Sequence, residues 1–130
     1  MRFLLDTNAV AALLGGKAET VRRIRHYGPH DFGLPAVVAH EHYFGIFRSR
    51  RTAENLARFD ALQFEVVPFD REDARQAAAI HAELATSGSP IGPYDAQIAG
   101  QAKSRDLTLI TRNVGEFSRV TGLRIEDWEV

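Results

Sequence analysis

Three acids, Asp6, Glu41 and Asp95, stand far apart in the chain, yet each falls at a place from which it can reach one edge of a folded sheet. Asp6 follows the apolar run Phe3-Leu4-Leu5 and opens Asp6-Thr7-Asn8, so it lies where a strand gives way to a helix. Glu41 sits inside a stretch of helical spacing, and Asp95 comes directly after a turn-rich segment. Carboxylates gathered at one point repel and raise each other's pKa unless a cation neutralises them, so a three-acid cluster implies a metal. There is no cysteine, which removes thiolate ligands. An oxygen-only donor set at a partly hydrated site suits Mg²⁺ or Mn²⁺ and argues against a dedicated zinc centre. Such an ion can polarise a phosphodiester, activate a water and stabilise the leaving oxygen, which makes hydrolysis of RNA or DNA the natural chemistry.

Taken singly, each acid has an ordinary explanation. Asp6 can cap a helix, Glu41 can be a solvated helix residue, and Asp95 can be an acid favoured by a helix dipole. Their joint placement is what points to a site. His40 and His42 flank Glu41, but consecutive helical residues point about 100° apart, so the three cannot face one ion together. The arginines cluster at Arg22, Arg23 and Arg25 and again at Arg48, Arg50 and Arg51, either as solvated helix faces or as contacts for RNA phosphates. Tyr43, Phe44 and Phe47 read as core or interface. Sixteen basic residues against 17 acidic ones leave a net charge of −1, so no global positive field advertises a nucleic-acid binder.

The elements that must position these residues alternate along the chain. Phe3 to Leu5 predicts a strand, followed by helices over 9–14, ended by Gly15-Gly16, and 19–27. Phe32 to Leu34 predicts a second strand, and Pro35 suits the first turn of a helix from about Ala36 to Arg50. Glu41, Gly45 and Ser49 share one face of that helix, with Gly45 leaving room for another element to approach. Thr52 is placed to cap a helix over 53–62, Phe64 to Pro68 alternates like a strand, and Asp70 caps a long helix to Thr86. After the loop from Ser87 to Pro93, Tyr94 to Arg105 is helical with Ile98, Ala99 and Ala102 inward, and strands follow at 107–111 and 123–125. No internal repeat or low-complexity segment interrupts this order. It predicts one α/β domain over residues 1–130, with a mainly parallel sheet of four to five strands flanked by helices. Ligands of such sheets bind beyond the carboxyl ends of the strands, where Asp6 and Asn113 both fall. An acid at position 6 interrupts what would be a signal peptide's apolar core, and no run reaches membrane-span length, so the expectation is a soluble, cytoplasmic protein without a membrane partner.

Leu4-Leu5-Asp6-Thr7-Asn8, Glu41 with Gly45 and Ser49, Ile91-Gly92-Pro93-Tyr94-Asp95 with Ile98-Ala99, and Leu109 to Phe117 together resemble the PIN domain, in particular the VapC-type and FitB-like toxins of toxin–antitoxin pairs. The resemblance runs on to the closing Gly122 to Trp128. It implies a Mg²⁺- or Mn²⁺-dependent endoribonuclease that cuts structured RNA, often tRNA, to arrest translation. A cognate antitoxin of the VapB kind would silence it. It also implies a homodimer, higher-order toxin–antitoxin assembly, and operator DNA reached only through the antitoxin. Carried over by position, Asp6, Glu41 and Asp95 are the metal-binding acids, and the fourth family position, often Asp, falls on Asn113. That amide brings no charge, so Glu116, about one turn later, is placed to approach through water. Thr111 would orient ligands from behind, and Asn8 would brace the first loop. Phe44, Phe47 and the 19–27 helix are candidates for antitoxin contact.

Two other readings compete. Aspartyl-phosphate phosphatases also begin with a strand followed by Asp, but they need a second Asp two residues on, where this chain has Asn8. An interaction or corepressor module that kept the fold and lost activity is the non-enzymatic alternative, and retention of all three principal acids speaks against it.

Overall fold

All 130 residues are described in a computed structural model. Five short strands form one sheet: β1 (Phe3–Leu5), β2 (Phe32–Pro35), β3 (Glu65–Val67), β4 (Thr108–Ile110) and β5 (Ile125–Glu126). Their order is β3-β2-β1-β4-β5, and every neighbouring pair is parallel. Parallel neighbours need crossovers, and seven helices supply the bulk of them: α1 (Thr7–Leu14), α2 (Ala18–Ile24), α3 (Ala36–Phe47), α4 (Thr52–Asp60), α5 (Arg71–Thr86), α6 (Pro93–Ser104) and α7 (Val114–Phe117). Every residue of β1 and β2 is buried, although successive side chains point to opposite faces, so the central sheet is covered on both sides. The edge strand β3 instead exposes Glu65 and Val66.

Register fixes which loops meet. Leu5 lies beside Ile110, so Asp6 and Thr111 emerge side by side at the carboxyl edge of the two central strands. The Asp6 N–H donates to the Ile110 carbonyl at 3.2 Å, which ties the turn down at the point where the chain leaves the sheet.

Most expected elements are present, with physical reasons for the differences. Pro35 ends β2 and stands at the cap position of α3 rather than inside its first turn. That helix stops at Phe47, and the Ser49 hydroxyl donates back to the Ile46 carbonyl. Thr52 opens α4 without capping it; its hydroxyl donates to the Ser49 and Ile46 carbonyls and so closes the preceding helix. The helix expected to Tyr27 ends at Ile24, and Tyr27 turns into an aromatic cluster. Phe3 meets Tyr27 at 4.8 Å and Trp128 at 4.9 Å between ring centroids, and stacks on Phe32 at 5.5 Å. Trp128, which the sequence places in an acidic tail, is thus part of the core, and the Thr20 hydroxyl holds its carbonyl at 3.1 Å. The last strand sits at Ile125–Glu126 rather than 123–125.

The close approach expected at Gly45 occurs elsewhere. A Cβ at Gly45 would meet nothing within 4 Å, whereas one at Gly100 would lie 2.6 Å from both the Cβ and the backbone nitrogen of Ala77. Gly100 therefore lets α6 press against α5, and α6 is the helix that carries Asp95. No helix is long and apolar enough to cross a membrane.

Candidate active site

Asp6 is both the turn residue of β1 and the cap of α1. Its Oδ1 accepts from the Ala9 N–H at 2.9 Å, and the Asn8 N–H and the Thr111 hydroxyl lie close enough to stabilise its charge. Only 5% of the residue is exposed. Burial raises its pKa above the ordinary carboxylate value, and those three donors oppose the rise by stabilising the charged form. The side chain is thereby pinned in one orientation before any ligand arrives.

Thr111, itself buried, links two parts of the site: its hydroxyl stands beside Asp6 and accepts the Asn113 N–H at 2.9 Å. Asn8 contributes its backbone N–H, while its side chain is exposed. The brace at this loop is Thr7, whose hydroxyl donates to Glu41 Oε2 at 2.9 Å and so ties α1 to α3.

Asp95 lies in the first turn of α6, brought there by Gly92 at the cap and Pro93 at the first helical position. Its pKa is raised to about 6. Burial is the largest cause, followed by repulsion from Glu116 and a hydrogen bond with it, and then by repulsion from Asp6 and Glu41. Glu116 thus stands beside Asp95. The Asn113 side-chain amide donates to Glu116 Oε2, so the neutral residue at the fourth position holds the fourth acid in place. The sequence signal for this is the three-residue spacing of Asn113 and Glu116, but α7 has only four residues, too few to show periodicity.

The structure therefore brings together Asp6, Glu41, Asp95 and Glu116, with Thr111 and Asn113 behind them. All eight salt bridges of the chain lie elsewhere, so none of the four acids has a cationic partner. His40 is exposed, and His42 turns away to stack on Phe59 at 5.4 Å between centroids; burial lowers its pKa. Phe44 and Phe47 are exposed on α3, while Tyr43 packs on Phe59 and donates to Asp60 at 2.8 Å. No three acid or imidazole side chains close into a tight cage. A cage is not what Mg²⁺ requires, since that ion is usually held through one or two carboxylates and keeps several waters. Asp95 repelled by three neighbouring acids, with no counter-charge among them, fits a hard divalent cation.

With this geometry in view, a family model described as PIN domain matches residues 3–123. The chain belongs to the PIN domain family. Within that family it is 36% identical over 130 residues to the tRNA(fMet)-specific endonuclease VapC of Salmonella typhimurium, 98% of each chain being covered. The protein of the same description from Shigella flexneri matches to the same extent. Among solved structures, DNA-bound VapBC from Salmonella typhimurium superimposes with a TM-score of 0.91 at 35% identity, covering 98% of each chain. VapBC-1 from nontypeable Haemophilus influenzae gives 0.88 at 27% identity over the whole of both chains. The five-stranded parallel sheet flanked by helices is that of PIN-domain VapC structures, and the acid cluster lies where ligands of parallel sheets bind.

Proposed function

We propose that this chain is a divalent-metal-dependent endoribonuclease of the VapC kind, cutting structured RNA such as tRNA and neutralised by a VapB-like antitoxin. The observation that carries the reading is the convergence of four carboxylates with no cation to balance them. The relatives described as tRNA(fMet)-specific endonucleases support the substrate class, and the VapBC complexes support the antitoxin partner, with operator DNA reached through that complex. The whole chain acts as one PIN domain, since Ile125 and Trp128, beyond the family match, still join the sheet and core. Its place of work is the cytoplasm, where tRNA is found, and its working form is a homodimer.

Asp6, Glu41 and Asp95 would hold the ion, with Glu116 beside Asp95 supplying further negative charge. A bound Mg²⁺ or Mn²⁺ supplies polarisation of the phosphodiester and activation of water at neutral pH. The protein's own contribution is orientation. The Ala9 N–H fixes Asp6, Thr7 fixes Glu41, and Asn113 fixes Glu116. Asp95, its pKa raised to about 6, has given up its proton at neutral pH, when it must be charged to hold the ion. Hydrolysis at the P–O3′ bond gives a 5′-phosphate and a 3′-hydroxyl and needs no participation by the 2′-hydroxyl.

The test is incubation of the purified protein with total RNA and with an initiator tRNA transcript in Mg²⁺ or Mn²⁺. The expected result is discrete cleavage that EDTA and Asp6→Asn each abolish. Cleavage that survives both changes would refute the metal–carboxylate mechanism, and no cleavage of any RNA would favour the non-enzymatic corepressor reading.

A further inference from the structure

Gly45 lacks a packing reason to be glycine. It sits in the interior of α3, where glycine is costly relative to alanine, and a side chain there would touch nothing within 4 Å. Gly100, by contrast, is explained by the contact with Ala77. The space over Gly45 is a cleft of about 340 Å³, within the ~300–1,000 Å³ range of small-ligand pockets. Glu41, a member of the acid cluster, stands at one side of it. On the other side α4 contributes Asn55 and Arg58, the one cationic residue among the eight that line it. Arg58 is exposed and donates one N–H to the Leu14 carbonyl, which steadies the guanidinium and leaves its other donors free. Leu14 and Ile46 are the only hydrophobic residues in the lining.

We infer that this cleft seats the nucleotide next to the bond being cut, with Gly45 as its floor and Arg58 as the anchor for an RNA phosphate. The inference rests on the nuclease reading above and adds the path of the substrate. A polyanion entering a cluster of four carboxylates needs a fixed positive charge close by, and Arg58 supplies it across the cleft from Glu41. A bare backbone floor lets a flat base or sugar approach closely. A helical peptide would call for an apolar groove, which this polar lining does not provide. Arg58 is a positioning residue: it holds substrate and leaves the reacting atoms to the acids.

The test combines binding and kinetics on the full chain, with an initiator tRNA transcript as probe. Binding is measured without metal across a range of salt concentrations. Arg58→Ala lowers the slope of log K against log[salt] by about 0.7 if the phosphate contact lies in a single strand, and Arg58→Lys retains the slope. In cleavage assays Arg58→Ala raises KM about tenfold, as expected for loss of a charge-assisted contact, and Gly45→Leu raises it to a similar extent by filling the nucleotide's seat, while kcat stays within about twofold in both. Gly45→Leu fills open space, so its thermal midpoint does not fall, and it remains informative if removal of Arg58 loosens the α1–α4 contact.

An unchanged salt slope in Arg58→Ala together with an unchanged KM in Gly45→Leu overturns the inference. So does a pair of variants that handle RNA as the wild type does but no longer co-purify with the antitoxin, since the cleft would then belong to a protein partner. If the wild type cuts no RNA yet Arg58→Ala still lowers the salt slope, the nuclease reading fails and the phosphate contact stands.

Discussion

Two clusters of acids in this molecule solve the same electrostatic problem in opposite ways. At the start of α5, Asp70 and Asp73 form a capping box, each accepting the other's backbone N–H at 2.9 Å. Asp73 is 1% exposed, and burial pushes its pKa up, but Arg105, the Asp70 N–H and the Ser104 hydroxyl together outweigh that and hold it below the ordinary value. Arg105 also reaches the Pro68 carbonyl, so one guanidinium ties the β3–α5 loop to the end of α6. At the other cluster, Asp95 faces Glu116, Asp6 and Glu41 with no cation, and its pKa rises to about 6. One set of acids is complete within the chain and the other is not. An incomplete set retained in a folded protein is the mark of a site.

The contrast can be broken from either side. The largest effect is expected at the uncompensated acids: Asp6→Asn or Asp95→Asn lowers the single-turnover cleavage rate by about two to three orders of magnitude, with circular dichroism unchanged. Asp73→Asn leaves cleavage at 25 °C within about twofold but lowers the thermal midpoint by roughly 10 °C, corresponding to about 2–3 kcal/mol for a broken, mostly buried pair. Because the folded pKa of Asp73 is depressed, that loss is full at neutral pH, and the two proteins converge as pH falls through the folded value. Asn113→Ala frees Glu116 and reduces cleavage about ten- to a hundredfold, and Asn113→Asp, whose carboxylate cannot donate to Glu116 either, shows the same loss if the amide's donation is what matters.

The smallest effect has the opposite sign. A carboxylate whose folded pKa is raised contributes stability that is complete below about 4 and lost as pH rises through about 6. In metal-free buffer at pH 7.5, Asp95→Asn therefore raises the thermal midpoint by a few degrees, on the order of 1 kcal/mol after solvent screening. The gain disappears below about pH 4.

Much of this arrangement is legible in the residue order. Buried apolar runs mark the central strands, and the stops at Asp6 and Thr111 place two loops at one edge of a parallel sheet. Asp95 is readable from Gly92-Pro93, which dictate a helix start. The features that are not legible depend on contacts between distant segments or on elements too short to carry a pattern. Thr52 looks like a cap for α4, yet it closes α3, because the tight turn between the two helices brings the Ile46 and Ser49 carbonyls within reach. Trp128 reads as part of a polar tail, since a two-residue strand carries no pattern and only the ring's neighbours reveal that it is core. Glu116 joins the acids directly, a role its four-residue helix is too short to advertise as a face. Gly45 has the spacing of a helix contact, but the contact is at Gly100 and the space over Gly45 is open.

The most direct test of the central claim is the thermal midpoint of the metal-free protein titrated with Mn²⁺ or Mg²⁺ at pH 7.5, for the wild type and for Asp95→Asn. If the acid edge is built around a divalent cation, the wild-type midpoint rises as metal is added. At about a hundred times Kd the gain approaches ~2.7 kcal/mol, roughly 10 °C, and Asp95→Asn shows little of it. A wild-type midpoint that does not move, or an equal rise in both proteins, would contradict the account.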